Sequence, residues 1–187
     1  MGDAGESNET LTALMVACQA GDAMAFETLY HKTAGPLLRY LRSLTRDPAR
    51  AEDLVQETFL HVHRARHTFD PACSARAWIY AIARNVFLMS RRATGRRLRH
   101  EALADGELPD LPVPAPFEAL AARDVLERAL ARIPGKKREA LLLHHVEGLS
   151  FAEVGAVQGV TALAAKLRSH RAMAELRRLV RGKEAKP

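Results

Sequence analysis

The segment "EALADGELPDLPVPAPFEAL" limits the fold more than any other part of the chain. It places Pro109, Pro112, Pro114 and Pro116 close together and carries only acidic charge. A proline ring removes the backbone N–H and clashes with the turn before it, so no helix crosses the middle of this stretch. Like charges along it repel and favour an extended course. Residues 99–118 are therefore read as a linker between two separate folding units. The chain has 187 residues, 48% of them apolar, enough for two small cores or one large one.

Both sides of the linker have helical periodicity. "LTALMVACQAGDAMAFETLYHKTAGPLLRYLRSL" repeats apolar residues three and four apart, and no alternating, strand-like run occurs in either half. The expected fold class is all-α, with no internal repeats. Gly21-Asp22, Gly35-Pro36 and Asp47-Pro48 are read as breaks between helices of the first half, with Asp47 as an N-cap and Pro48 in the first helical position.

Charge is distributed in blocks. Residues 1–70 hold 7 Lys/Arg against 10 Asp/Glu, 71–100 hold 7 against 0, 101–118 hold 0 against 5, and 119–187 hold 14 against 7, for a net charge of +6. Two basic blocks separated by an acidic connector suit two surfaces that meet one polyanion, with an acidic surface left for another partner. No apolar run approaches the about 18 residues of a membrane span. "MGDAGESNET" lacks the basic-then-apolar order of a secretory signal, so a cytoplasmic protein without membrane insertion is expected. Cys18 and Cys73 have neither disulfide-scaffold nor zinc-ligand spacing. Each is read as an inert core thiol, with redox sensitivity as the alternative.

In the second half, "FEALAARDVLERALARI" and "KKREALLLHHVEG" are two helices parted by Pro134-Gly135. Ser150-Phe151-Ala152-Glu153 is then a capping box that starts a short helix. Gln158-Gly159-Val160-Thr161 forms the next turn, and Thr161 caps a long final helix. A short helix, a turn containing glycine and a basic helix make the helix-turn-helix pattern, whose second helix enters the DNA major groove. Lys166, Arg168, His170 and Arg171 are the candidate phosphate and base contacts. The competing reading is a solvated basic face.

In the first half, "DPARAEDLVQETFLHVHRARHTF" directs Leu54, Val55, Phe59 and Val62 to a core and Glu52, Asp53, Gln56 and Glu57 outward. That acidic, amide-rich face repels nucleic acid and suits a protein partner. "ARAWIYAIARNVFLMSRRATGRRLRH" interleaves Trp78, Tyr80 and Phe87 with Arg76, Arg84, Asn85, Arg91, Arg92, Arg96, Arg97 and Arg99, with no acid. Aromatic rings and cations together suit opened or single-stranded nucleic acid. Alternatively, Trp78, Ile79, Ile82 and Val86 are core residues at helical spacing. His63 and His67 stand four apart, as in a metal pair, but lack a third ligand, and neither a metal nor a cofactor is expected.

"AEDLVQETFLHVHRA", "ARAWIYAIARN" and "IPGKKREALLLHHVEGLSFAEVGAVQGV" closely resemble regions 2 and 4 of bacterial sigma-70 family initiation factors, in the small extracytoplasmic-function (ECF) group. The resemblance covers about 12–98 and 119–181. It implies a non-enzymatic, two-domain helical subunit of RNA polymerase with no catalytic residues, in the bacterial cytoplasm. The domains would be a tail at 1–9, a region 2 bundle at 10–98, the linker, a region 4 helix-turn-helix domain at 119–182 and a tail at 183–187. Asp53, Leu54, Gln56 and Glu57 would bind core polymerase on its β′ clamp helices, with the β flap a second contact. Loop 69–77 and helix 78–92 would capture and melt the minus-ten element, through Arg76, Trp78, Tyr80, Arg84, Asn85, Arg91 and Arg92. Thr161, Lys166, Arg168, His170 and Arg171 would read the minus-thirty-five element. The acidic linker would run toward the polymerase active centre, and an anti-sigma factor would be a further partner.

Two departures stand out. Ala75 occupies a position where the family carries a bulky apolar residue. In "GVTALAAKLRSHRAM", aligned without gaps, Ala165 and Ser169 replace the family's buried Val and Leu. The last helix is then either rotated or weakly packed. Two further readings keep parts of this picture: a helix-turn-helix regulator that binds duplex DNA without polymerase, and a sigma-like decoy that titrates an anti-sigma factor.

Overall fold

Residues 3–45, 47–101 and 119–184 are described by the computed structural model; most of the expected linker, 102–118, lies outside the described residues. The described residues form eight α-helices and one 3-10 turn: α1 (Asp3–Gln19), α2 (Ala23–Thr45), α3 (Pro48–Ala65), the turn Arg66–Thr68, α4 (Ala75–Glu101), α5 (Ala119–Arg132), α6 (Gly135–His145), α7 (Phe151–Gln158) and α8 (Ala162–Glu184). The all-α expectation holds in both halves.

In the first half, helical spacing places one apolar stripe per helix against a shared centre. Leu11, Met15 and Cys18 come from α1; Leu29, Leu37, Tyr40 and Leu41 from α2; Leu54, Val55, Phe59 and Val62 from α3; Ile79, Ala83 and Val86 from α4. Each large apolar side chain buried this way contributes about 1.5–3 kcal/mol. The breaks have local causes. Gly21 takes φ 94 between α1 and α2, and Asp22 Oδ1 accepts from the backbone N–H of Met24 at 2.9 Å. Asp47 caps α3 by accepting from Arg50 N at 3.1 Å, with Pro48 in the first turn.

Gly35-Pro36 is not a break: α2 runs through it. Proline in a helix interior costs about 3 kcal/mol. The buried stripe of Leu29, Thr33, Leu37, Tyr40 and Leu41 spans the position on both sides and outweighs that penalty. α3 ends before His67, which falls in the 3-10 turn, so His63 and His67 do not share a helical face. Cys18 is buried, and burial chiefly raises its thiol pKa, with Asp22 adding to the rise. Cys73, by contrast, is exposed, in the loop before α4, and is not a core thiol.

In the second half the capping box forms as expected: Glu153 N donates to Ser150 Oγ at 3.3 Å and Ser150 N to Glu153 Oε2 at 2.7 Å. Gly159 ends α7 in the left-handed region at φ 65, a conformation that costs little only for glycine. Thr161 Oγ1 accepts from Ala164 N at 3.2 Å and starts α8. The turn between α7 and α8 is tight enough that a Cβ on Gly155 would lie 2.7 Å from the Val160 carbonyl oxygen.

The last helix is not rotated. Ala165, Ser169 and Ala172 are fully buried while Leu163 and Leu167 are exposed, as the gapless alignment requires. Its buried side is made of small side chains packed closely on α6 and α7, and Ser169 Oγ is buried without a hydrogen-bond partner.

The two halves do not stand apart. Ala140, Leu143, Leu149, Val154, Val157 and Ala165 belong to the same apolar cluster as the α1–α4 core. α7 packs on α4, and α6 on α2. A smaller cluster of Ile133, Leu141 and Ala172, with Leu130, Met173 and Leu176, ties α5 and α6 to α8.

Two substitutions test this account by urea or thermal unfolding. Gly155→Ala is expected to lower stability by about 1–3 kcal/mol, because the clash is with backbone rather than a movable side chain. Ser169→Ala is expected to raise it by about 1 kcal/mol, by removing an unpaired buried hydroxyl. An unchanged or lower stability for Ser169→Ala would show that the hydroxyl is hydrogen-bonded.

Candidate nucleic-acid interface

On α3 the surface divides sharply. Glu52, Asp53, Gln56 and Glu57 are exposed along one side, and Glu52 Oε1 accepts from Arg42 Nη2 at 2.8 Å. Leu54, assigned from the sequence to the same face, is buried at 2% exposure. It supports the acidic residues from beneath. Leu60, 57% exposed, continues the exposed side with an apolar residue.

α4 carries the basic and aromatic residues, and the structure separates them into two groups. Asn85, Arg91 and Arg92 are exposed, with the Arg91 guanidinium 5.8 Å from the centre of the Phe87 ring. Trp78 is half-buried, edge-on to buried Phe69 at 5.5 Å between ring centres. The core alternative therefore describes Ile79 and Val86, both at 1% exposure, better than Trp78. Arg96, Arg97 and Arg99 lie on α4 by backbone position.

Arg76, Tyr80 and Arg84 form the second group, and each meets the other half of the chain. Arg84 Nε donates to Glu139 Oε1 at 2.9 Å, and the Tyr40 hydroxyl donates to the same oxygen at 2.8 Å. The Tyr80 hydroxyl donates to Glu147 Oε2, and Arg76 Nη1 to the Glu147 carbonyl at 2.8 Å. Ahead of α4, Ser74 Oγ and Arg76 N both donate to Asn8 Oδ1, at 2.9 and 3.2 Å.

These contacts set the local acidities. Burial raises the phenols of Tyr40 and Tyr80 well above their ordinary range, reinforced by Glu139 and Glu147 respectively. Burial also raises Glu147, against the opposing effects of the Tyr80 hydrogen bond, Arg39 and Arg76. Glu153 is likewise pushed up by burial, but hydrogen bonds from Ser74 and Ser150 and the charge of Arg76 hold it below its ordinary value. The two carboxyls therefore have opposite linkage. Glu147 withdraws stability as pH rises above its ordinary 4.5 toward its raised value. Glu153 withdraws it as pH falls below the same ordinary 4.5.

Thr161, just before α8, and Lys166, His170 and Arg171 on it are exposed. Arg168 is turned inward, its Nη1 donating to Gln158 Oε1 at 2.9 Å. Phe151 stacks on His144 at 3.9 Å between ring centres. Close to His144, His145 has its pKa lowered by burial first, then by the charges of His144, His170 and Arg177.

Sequence reasoning missed Glu139 and Glu147, which join the halves, and Gln158, which braces Glu139 from within the second half. A signal was present: Glu139, Leu143 and Glu147 are spaced four apart, so two acids lie in register with an apolar position in an otherwise basic half. Only the partner helix shows why.

The chain is similar to known proteins in both halves. The family model described as Sigma-70 region 2 matches residues 29–97, and the one described as Sigma-70, region 4 matches 123–176. The chain is 37% identical over 160 residues to RNA polymerase sigma factor CarQ of Myxococcus xanthus, across 83% of this chain and 89% of that one. It is 35% identical over 172 residues to ECF RNA polymerase sigma factor SigF of Caulobacter vibrioides, across 91% and 94%. Among solved structures it resembles the sigma factor RpoE bound to the anti-sigma factor NepR from Bartonella quintana, with TM-score 0.70 and 27% identity over 83% of this chain and 96% of that one. Two family regions in this order, on an all-helical fold and with relatives matched over nearly their full length, place the chain in the sigma-70 family of RNA polymerase sigma factors, within the extracytoplasmic-function group.

Proposed function

We propose that the exposed side of α3 is the surface by which this sigma factor joins core RNA polymerase, and that α4 and α8 contact the promoter. The observation that carries the reading is the division of one helical bundle into an acidic exposed side, with Asp53, Gln56 and Glu57 on α3, and a run of α4 from Ala75 to His100 that carries no acid. A polyanion is repelled by the first and attracted by the second, so polymerase and DNA occupy different sides.

Residues 10–98 act as the polymerase-binding and minus-ten domain, 119–182 as the minus-thirty-five domain, and 99–118 as the connector. On α4, Asn85, Arg91 and Arg92 are already available to a displaced strand; Trp78 offers a ring edge; Arg76, Tyr80 and Arg84 become available once the halves separate. On α8, Lys166, His170 and Arg171 meet the duplex, with Thr161 at the helix start. Leu54 acts only by holding Asp53 and Glu57 in place. The protein has no reaction of its own; the chemistry belongs to the polymerase. It works in the bacterial cytoplasm, where the polymerase is. RpoE is bound by NepR in the solved relative, and an anti-sigma factor is assigned to this chain by the same logic.

Two outcomes follow. Asp53→Ala or Gln56→Ala is expected to change unfolding free energy by less than about 0.5 kcal/mol, as for other surface sites, while abolishing co-purification with core polymerase. Leu54→Ala is expected to cost about 2–5 kcal/mol through the cavity it leaves. Normal co-purification of both surface variants would remove α3 from the interface. In run-off transcription on the promoter of its own operon, transcript is expected only when this protein and core polymerase are both present. Duplex binding of equal strength without polymerase would favour the stand-alone regulator, and a stable core complex without transcript would favour the decoy.

A further inference from the structure

Helix α1 lies before the residues matched by the region 2 family model, which begin at 29, yet it ties both ends of the segment that leads into α4. Its buried stripe is Leu11, Met15 and Cys18. Asn8 and Gln19 continue that stripe at either end, about three helical turns and about 16 Å apart on one face. Both are bonded within the protein. Gln19 Nε2 donates to the backbone carbonyls of Arg66 at 2.9 Å and Phe69 at 2.8 Å. Asn8 Oδ1 accepts from Ser74 Oγ and Arg76 N, and Ser74 Oγ accepts from Ala77 N at 3.2 Å. The start of α4 is therefore capped jointly by its own Ser74 and by a side chain 66 residues away.

The two ties converge on Trp78. Its ring packs edge-on to Phe69, whose carbonyl Gln19 holds. Its backbone N–H donates to the carbonyl of Ser74 at 3.0 Å, and Asn8 holds the hydroxyl of the same serine. Phe69 is buried at 3% exposure, so it turns away only by opening the core. Between the ties, Asp70, Pro71, Ala72 and Cys73 are exposed and pack too little to hold the two ends in register.

We infer that Asn8 and Gln19 are positioning residues for Trp78: α1 sets the spacing between Phe69 and the first turn of α4, and so the tilt at which the indole ring meets an unstacked base. The inference rests on the strand-contact role proposed for α4. Stacking of a base on an aromatic side chain depends on the relative orientation of the two rings. Hydrogen bonds weaken steeply with angle, whereas dispersion contacts tolerate small slides. Two bonded anchors on one rigid helix fix a distance and an angle together, which the apolar contact of Phe69 with Trp78 does not do by itself.

Trp78 is the one tryptophan of the chain, so indole emission from the free full-length protein reports on this residue. Asn8→Ala/Gln19→Ala is expected to move that emission to longer wavelength and to lower its anisotropy, as the ring gains water and motion. Holoenzyme is then assembled with saturating core polymerase on a promoter that the wild type transcribes, and opening is read as permanganate reactivity of unpaired thymines. The same variant should lower opening about tenfold, the order of effect of losing one base–aromatic stack. Trp78→Ala should lose as much, and adding Asn8→Ala/Gln19→Ala to it should lose no more, since the ties act through that ring. Two changes that each add one negative charge divide the outcome further: Asn8→Asp keeps an acceptor and should behave as wild type, while Gln19→Glu removes the donor and should lower opening. If circular dichroism shows the double alanine variant to be unfolded, these two carry the test, and equal opening by both overturns the inference. Normal opening by Asn8→Ala/Gln19→Ala beside a defective Trp78→Ala overturns it whatever the emission. A combined variant markedly worse than Trp78→Ala overturns it as well, because α1 then acts on the fold at large. Normal opening by Trp78→Ala overturns the strand role of the ring, on which the inference rests, and the inference with it.

Discussion

Glu139 receives donors from three other helices: Tyr40 on α2, Arg84 on α4 and Gln158 on α7. An isolated carboxylate in such a place costs several kcal/mol of lost hydration, and only close, well-directed donors offset it. Apolar neighbours such as Leu143, Leu149 and Val154 tolerate small slides, since dispersion depends weakly on direction. The hydrogen bonds do not, because they weaken steeply with angle. Burial of apolar surface holds the halves together, and Glu139 fixes the one orientation in which they meet. Through Gln158 the same carboxylate also sets the position of Arg168 on α8, so the surfaces of both halves depend on it.

What could be read from the sequence was local or periodic. The Asp47-Pro48 start, the Ser150–Glu153 capping box and the turn at Gln158–Thr161 are each fixed by a few adjacent residues, and each formed as expected. The stripe Leu54, Val55, Phe59 and Val62 needed only the 3.6-residue period. Gly35-Pro36 failed as a break because a local penalty lost to tertiary burial along α2. Leu54 has a core period in the sequence and is buried at 2% exposure, beneath the exposed acidic residues of α3. The contacts of Arg76, Tyr80 and Arg84 were illegible because their acceptors lie 55 to 71 residues away, where neither periodicity nor capping chemistry reaches.

The last helix shows how a departure from a family pattern can be absorbed. Ala165, Ser169 and Ala172 line the buried side of α8, and small side chains there let it approach α6 and α7 closely. The apolar bulk missing from the inside appears outside, at Leu163 with 66% exposure and Leu167 with 46%. Leu163 stands in the first turn, the part of a recognition helix that meets base edges. An apolar side chain there can contact a thymine methyl but neither donates nor accepts a hydrogen bond. The exposed side of the helix therefore sets the cations Lys166 and Arg171 beside an apolar edge.

Charge separation then explains why one small chain can serve two large partners without confusing them. The acidic side of α3 and the cations of α4 belong to one bundle, yet Leu54, Val55, Phe59, Ile79 and Val86 lie between them as a dry core. Field lines from exposed charges run mainly through water and fade within about 8 Å at physiological salt, so each side presents its own sign to an approaching partner. The acidic side is complete in this structure, while Glu139 and Glu147 of the second half meet Arg84, Tyr80 and Arg76 of α4 and offset part of its positive charge.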